Sequence, residues 1–143
     1  MAAFEHRLRV RFQHTDPAGI VFFANILVYC HEAYEELLRA GGMPLEEFIG
    51  KREQVLPIGH AEATFKRPFR AGQAVLIRVT VGRLGDRSFR LEFDLFGEKQ
   101  GELDEHLATA ATVHVSVDPT TGRSTGIAPQ LRAILEQYAP EAG

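Results

Sequence analysis

The stretch Phe12-Gln13-His14-Thr15-Asp16-Pro17-Ala18-Gly19-Ile20-Val21-Phe22-Phe23-Ala24-Asn25 separates two kinds of pattern. Before it, Leu8, Val10 and Phe12 alternate with Arg7, Arg9 and Arg11, the period of a half-buried strand. After it, Ile26, Tyr29, Cys30, Ala33 and Leu37 recur at helical spacing until Gly41-Gly42 supplies a stop. Val28, Leu38 and Ala40 widen that stripe, so the helix is expected to be apolar on more than one side, as a helix gripped by a curved sheet must be. Between the two patterns, proline fixes φ and glycine admits unusual φ, which forces a sharp loop around Asp16. Such a loop would hold the Asp16 carboxylate near the unpaired amides at the helix start. A carboxylate beside donors for a developing oxyanion suits acyl transfer. Asp before Pro is equally an ordinary turn residue or helix cap, and the local pattern leaves both readings open.

From Ile58 onward strand follows strand. Ala61, Ala63 and Phe65 alternate with polar neighbours, as do Val75, Ile77, Val79 and Val81, then Phe89, Leu91, Phe93 and Leu95. Leu107, Thr109, Ala111, Val113, Val115 and Val117 make the apolar face of the last strand, whose other face is small or polar. Short turns at Leu84-Gly85-Asp86 and from Gly97 to Gly101 imply antiparallel neighbours. A short helical turn is expected at Pro44-Leu45-Glu46-Glu47-Phe48, and a closing amphipathic helix carries Leu131, Ile134, Leu135 and Tyr138. The order is β-α-β-β-β-β-α, without repeat or linker, so residues 1–143 are expected to form one α+β domain with the long helix covering the sheet. One unprotected sheet edge predicts self-association.

Composition narrows the function classes. A net charge of −3 argues against a general nucleic-acid binder, which would need a clustered basic surface. No apolar run approaches the ~20 residues that span a membrane. Met1-Ala2-Ala3-Phe4-Glu5-His6-Arg7 lacks the apolar segment of a signal peptide, and Cys30 has no cysteine to pair with. A cytoplasmic location is the expectation. His6, His14, His60, His106 and His114 offer no two-histidine-plus-carboxylate spacing on one element, so no metal is expected.

Asp16-Pro17-Ala18-Gly19-Ile20-Val21, with Asn25 following, resembles the active-site loop of the hydroxybenzoyl-CoA thioesterase family. Phe65-Lys66-Arg67-Pro68 with Gly72-Gln73, Arg87-Ser88-Phe89, Val117-Asp118 with Gly122-Arg123, and Ile127-Ala128-Pro129-Gln130-Leu131-Arg132 resemble later segments of that family in order. The resemblance implies the hotdog fold, an antiparallel β-sheet wrapped around a long central helix, and hydrolysis of acyl-CoA thioesters, with benzoyl and hydroxybenzoyl among the acyl groups to consider. It implies Asp16 as nucleophile or general base and the backbone N–H of Phe23 as oxyanion donor. Substrate contacts carried over are Gly19, Val21, Phe22, Asn25, His31, Phe65, Arg83 and Arg87. No cofactor is implied, since coenzyme A is part of the substrate, and the family's dimers, often paired into tetramers, imply a homo-oligomer with sites between subunits.

The chain also departs from the family. Phe23 stands where some relatives carry histidine, and His31 stands where the hydroxybenzoyl enzyme carries an acidic residue facing the ring hydroxyl. Gly85 and Asp86 replace two basic neighbours of Arg87, which leaves Arg83, Lys66, Arg67 and Arg70 as further phosphate candidates. Phe22, Phe23, Tyr29 and Phe65 could line an aromatic pocket or belong to the core. The rival readings are a hotdog dehydratase using His14 with Glu32 or Glu35, and a non-catalytic acyl-CoA binder.

Overall fold

A computed structural model describes residues 2–51 and 53–140. Strand β1 spans Phe4–Arg9 and is followed by a single 3-10 turn at Phe12–His14, the long helix α1 at Ala24–Ala40 and a short α2 at Leu45–Gly50. Then come β2 at Ile58–Phe65, β3 at Ala74–Leu84, β4 at Ser88–Lys99, β5 at Glu102–Val115 and the closing helix α3 at Pro129–Glu136. Among the described residues the strands form one antiparallel sheet in the order β1-β3-β4-β5-β2.

Helix α1 buries Ile26, Tyr29, Cys30, Ala33, Tyr34, Leu37 and Leu38 against that sheet. No side chain caps its first turn. A cap contributes ~1 kcal/mol, whereas each large apolar side chain contributes ~1.5–3 kcal/mol on burial, so packing and not capping holds the helix in place. Its stripe is narrower than the sequence suggests: Val28 is 53% exposed and Ala40 is exposed as well. The sheet grips one side of α1 and leaves the Val28 side open.

Three further expectations need correction. Phe12 does not continue the alternation of β1; the strand ends at Arg9, the chain turns, and Phe12 is 83% exposed. Gly97 lies within β4, and the hairpin turns instead at Gln100-Gly101, both with positive φ. The inward face of β5 is the small and polar one. Leu95, Phe93, Leu91 and Phe89 of β4 stand opposite Ala108, Ala110, Thr112 and His114, and directly opposed residues share a face. The bulky β4 side chains fill the space beneath α1, which leaves room for small partners only. Leu107 is still buried, next to a register shift between Leu95 and Phe96.

Strand β2 is the outlier. Only Ala63 along it is even half-buried, because β5 flanks it on one side and, among the described residues, no strand flanks the other. This is the open edge that the sequence anticipates.

Candidate active site

The Asp16 loop is a miniature hairpin. Asp16 N–H donates to the Ile20 carbonyl at 2.9 Å, Phe22 N–H donates to the His14 carbonyl at 2.9 Å, and Thr15 lies across from Val21. Gly19 closes the turn at φ +82°, a conformation that a side chain would resist, with its N–H donating to the Asp16 carbonyl. The loop is then fastened on both sides. Val21 N–H donates to the Phe69 carbonyl at 2.8 Å, and the Asn25 amide donates to the His14 carbonyl at 3.1 Å. Asn25 therefore braces the loop from the first turn of α1. Val21 is buried, so its side chain serves the core.

The half-buried Asp16 carboxylate points back into its own loop, where Oδ1 accepts the Ala18 N–H at 2.9 Å. It is not a cap of α1, contrary to one of the two readings the sequence left open. The helix start is left with its donors: no hydrogen bond among the described residues engages the Phe23 N–H. An unpaired amide at the positive end of a helix suits a developing negative charge.

Three aromatic rings surround this entrance. Phe22 and Phe23 lie 4.9 Å apart, Phe23 meets Phe65 edge-on at 6.4 Å, and all three are exposed. Tyr29 is excluded from the group. It is buried and bonds His14 Nδ1 through its hydroxyl at 2.9 Å, and burial raises its pKa, so it stays a neutral phenol. That bond, with His6 bonded to Glu32 and His31 paired with Glu35, leaves His14 without the carboxylate partner a dehydratase dyad would require.

One turn further along α1 a cavity of about 240 Å³ opens between the helix and the β2–β5 side of the sheet. Leu27, Val28, Ile58 and Phe93 give it apolar walls, with His31, Tyr34 and His114 among its lining. His31, half-exposed, pairs with Glu35 through Nδ1 at 3.0 Å and meets the Tyr34 ring edge-on at 5.4 Å. Sequence pattern does not single out Tyr34, Thr112 or His114, which also line the cavity. Tyr34 sits three residues after His31, a spacing that places both on one helix face, but His114 joins them only through the pairing of β5 with β4.

The two arginines carried over from the family resemblance lie elsewhere. Arg83 approaches Ser88 Oγ at 3.3 Å, and Arg87 donates to the Ser124 carbonyl at 3.2 Å, both beside the β3–β4 turn. Phe65 is level with Ala108, Leu95 and Ile77, and from Ile77 to Arg83 is about 20 Å of strand. One protomer therefore does not bring Arg83 or Arg87 to Asp16. Nearer the loop, Ile20 pairs with Arg70, which lines an open polar cleft of about 690 Å³ with Arg9, Arg67 and Lys99. No cluster of three metal-ligating side chains occurs among the described residues, and no described helix is long and apolar enough to cross a membrane.

Residues 10–135 match the Thioesterase-like superfamily. A 1,4-dihydroxy-2-naphthoyl-CoA hydrolase of Rippkaea orientalis (strain PCC 8801 / RF-1) is 38% identical over 128 residues, covering 89% of this chain and 91% of that protein. Among solved structures, a 1,4-dihydroxy-2-naphthoyl-CoA thioesterase from Synechocystis superposes with a TM-score of 0.85 at 26% identity, over 94% of this chain and 96% of the other. A gentisyl-coenzyme A thioesterase superposes with a TM-score of 0.78 at 30% identity, over 92% and 98%. The sheet wrapped around α1 is the hotdog fold.

Proposed function

The chain belongs to the Thioesterase-like superfamily, and on that premise we propose that it hydrolyses CoA thioesters of hydroxylated aromatic acids, a dihydroxynaphthoyl group foremost. The observation that carries this reading is the succession along α1 of a braced carboxylate, a free helix-start amide and an apolar cavity. In the reaction proposed, Asp16 takes a proton from water as the water oxygen bonds the acyl carbon, or bonds that carbon itself to form an anhydride that water then opens. The carbonyl oxygen becomes negative in either route and is met by the Phe23 N–H; removing such a donor typically costs about 10²–10³ in rate. The C–S bond then breaks, and the thiolate is stable enough to leave before it takes up a proton.

Selectivity is tested by a panel of dihydroxynaphthoyl, dihydroxybenzoyl, benzoyl and short aliphatic CoA thioesters, followed by release of free thiol. A hydroxylated bicyclic substrate is expected to exceed an aliphatic one in kcat/KM by about 100-fold or more, because the aliphatic group leaves apolar walls and polar groups uncontacted. Absence of thiol release from every member would dispose of the thioesterase reading. Equal rates would dispose of the aromatic preference alone.

The working form proposed is a homo-oligomer, a dimer or a dimer of dimers, paired along β2. In support, β2 is an open edge beside exposed Phe23, Phe65 and Ile58. A two-fold copy added there runs in the opposite direction, so its β3–β4 turn, with Arg83 and Arg87, lies toward this protomer's Asp16 end. Those arginines would then meet CoA phosphates across the interface. Light scattering should return the mass of two or four chains; the mass of a single chain at assay concentration would remove this part.

A further inference from the structure

Phe12 is 83% exposed, the most exposed large apolar side chain among the described residues, and pairing along β2 does not account for it. Phe23, Phe65 and Ile58 flank that edge, whereas Phe12 follows β1, the strand at the other end of the sheet order. Its backbone is fixed, because the Phe12 carbonyl accepts the Thr15 N–H at 3.0 Å and the Thr15 hydroxyl at 2.6 Å. Two residues earlier, Val10 N–H donates to the Gln73 carbonyl and the Val10 carbonyl accepts the Gly72 N–H. Gly72 and Gln73 line the open polar cleft of about 690 Å³, so an uncovered aromatic ring is attached at its margin.

The cleft carries surplus positive charge. Glu98 and Asp104 in its lining are paired with Arg7 at 3.2 Å and Lys99 at 3.7 Å. Arg9 donates to the Gly72 carbonyl at 2.6 Å, a contact that leaves its charge unbalanced. Arg67 and Arg70 are exposed, and among the described residues no side chain pairs with either guanidinium. Three arginines therefore stand against Glu105 alone.

We propose that the nucleotide end of coenzyme A lies in this cleft, with a phosphate held by Arg67 and Arg70 and the adenine stacked on Phe12. The assignment rests on the thioesterase reading and adds to it the residues that hold the leaving group. A guanidinium matches phosphate with a fork of donors, and an exposed ring gives a purine a face to stack on. These positions are not the one that the family resemblance supplies. At that position Gly85 and Asp86 replace two basic neighbours, and Arg87 lies 3.8 Å from the Asp86 carboxylate. Coenzyme A carries a diphosphate and a separate ribose phosphate, so arginines of a paired protomer that hold one leave the other for this cleft. The reach is suitable. Arg70 pairs with Ile20 of the Asp16 loop, and Arg67 follows by two residues Phe65, whose ring meets that of Phe23 at 6.4 Å. Two residues span about 7 Å at most, so the cleft borders the entrance where the thioester must sit, and the pantetheine arm bridges the interval.

The test compares one aromatic acyl group carried on coenzyme A and on pantetheine, which has the thiol arm without the nucleotide. The wild type should favour the CoA thioester in kcat/KM. Arg67→Ala combined with Arg70→Ala should lower that preference about tenfold or more, through KM for the CoA thioester. Phe12→Leu, which keeps an apolar side chain but removes the ring, should lower it about fivefold, and Phe12→Tyr should retain it. All three side chains are exposed, so the melting temperature should hold. An unchanged preference in the arginine variant, or an equal fall on both thioesters, would overturn the phosphate contact. An unchanged preference in Phe12→Leu would overturn the stacking. If the wild type cleaves neither thioester, the proposed activity fails, and calorimetric titration with free coenzyme A reads the cleft separately. Binding that the arginine variant weakens about tenfold or more upholds the site; no binding, or equal affinities, overturns it.

Discussion

Asp16→Asn should lower kcat by about 10²–10⁴ while leaving KM and the melting temperature almost unchanged. The separation of effects follows from the hydrogen bonding of the loop. Asp16 contributes to folding through Oδ1, which accepts the Ala18 N–H at 2.9 Å, and an asparagine amide oxygen can accept the same bond. The hairpin bonds from Asp16 N–H to Ile20 and from Phe22 N–H to His14 are backbone bonds and survive the exchange. What the amide cannot do is accept a proton from water or attack a carbonyl carbon. Steady-state kinetics on the preferred thioester, beside a thermal melt, decide the matter. Activity within tenfold of wild type would remove Asp16 from the chemistry, and activity lost together with the folding transition would make the residue a loop brace.

The second large effect concerns stability against pH. His114 is enclosed by Tyr34, Phe89 and Thr112. Burial, then the neighbouring His31, lowers its pKa from 6.5 to about 4. A histidine whose folded pKa is depressed is protonated more readily in the unfolded chain, so acid favours unfolding. The stabilisation is complete above pH 6.5 and is lost as pH falls from there toward 4, amounting to about 3 kcal/mol. The Leu56 backbone favours the charged ring, but its effect is the smallest of the three and does not reverse the shift. Tyr34 stays a neutral phenol, its pKa raised chiefly by burial, and protonation of His31 adds repulsion. Urea midpoints measured between pH 7 and 4.5 should fall steeply in the wild type. His114→Gln, which cannot be protonated, should begin less stable at pH 7 and show a shallower slope. Parallel slopes in the two proteins would show that some other group carries the acid sensitivity.

Much of the architecture is legible residue by residue. Asp-Pro-Ala-Gly at 16–19 makes a tight turn wherever it occurs, the spacing of Ile26, Tyr29, Cys30, Ala33 and Leu37 is helical, and the alternation of Phe89, Leu91, Phe93 and Leu95 is that of a strand with one buried face. These are local signals, and tertiary packing agrees with them. Phe12 shows the limit of such reasoning. Alternation alone extends β1 through it, yet the turn leading to Asp16 has already begun and carries its ring into solvent. The strand β5 marks the same limit, since two alternating sets run along it and the more hydrophobic of them faces away from α1.

The sequence by itself determined the turn at Asp16, the long helix behind it and the train of strands, because each depends on dihedral preferences and periodicity within a few neighbouring residues. Only the tertiary structure decided that Ala108, Ala110, Thr112 and His114 lie inward, since the bulk of the β4 side chains opposite them settles that choice. The same pairing enclosed His114 with Tyr34, residues far apart in the chain. Sheet order also placed Arg83 and Arg87 at the end remote from Asp16. Distances across a sheet depend on how strands are ordered and aligned, and no short window of residues encodes that.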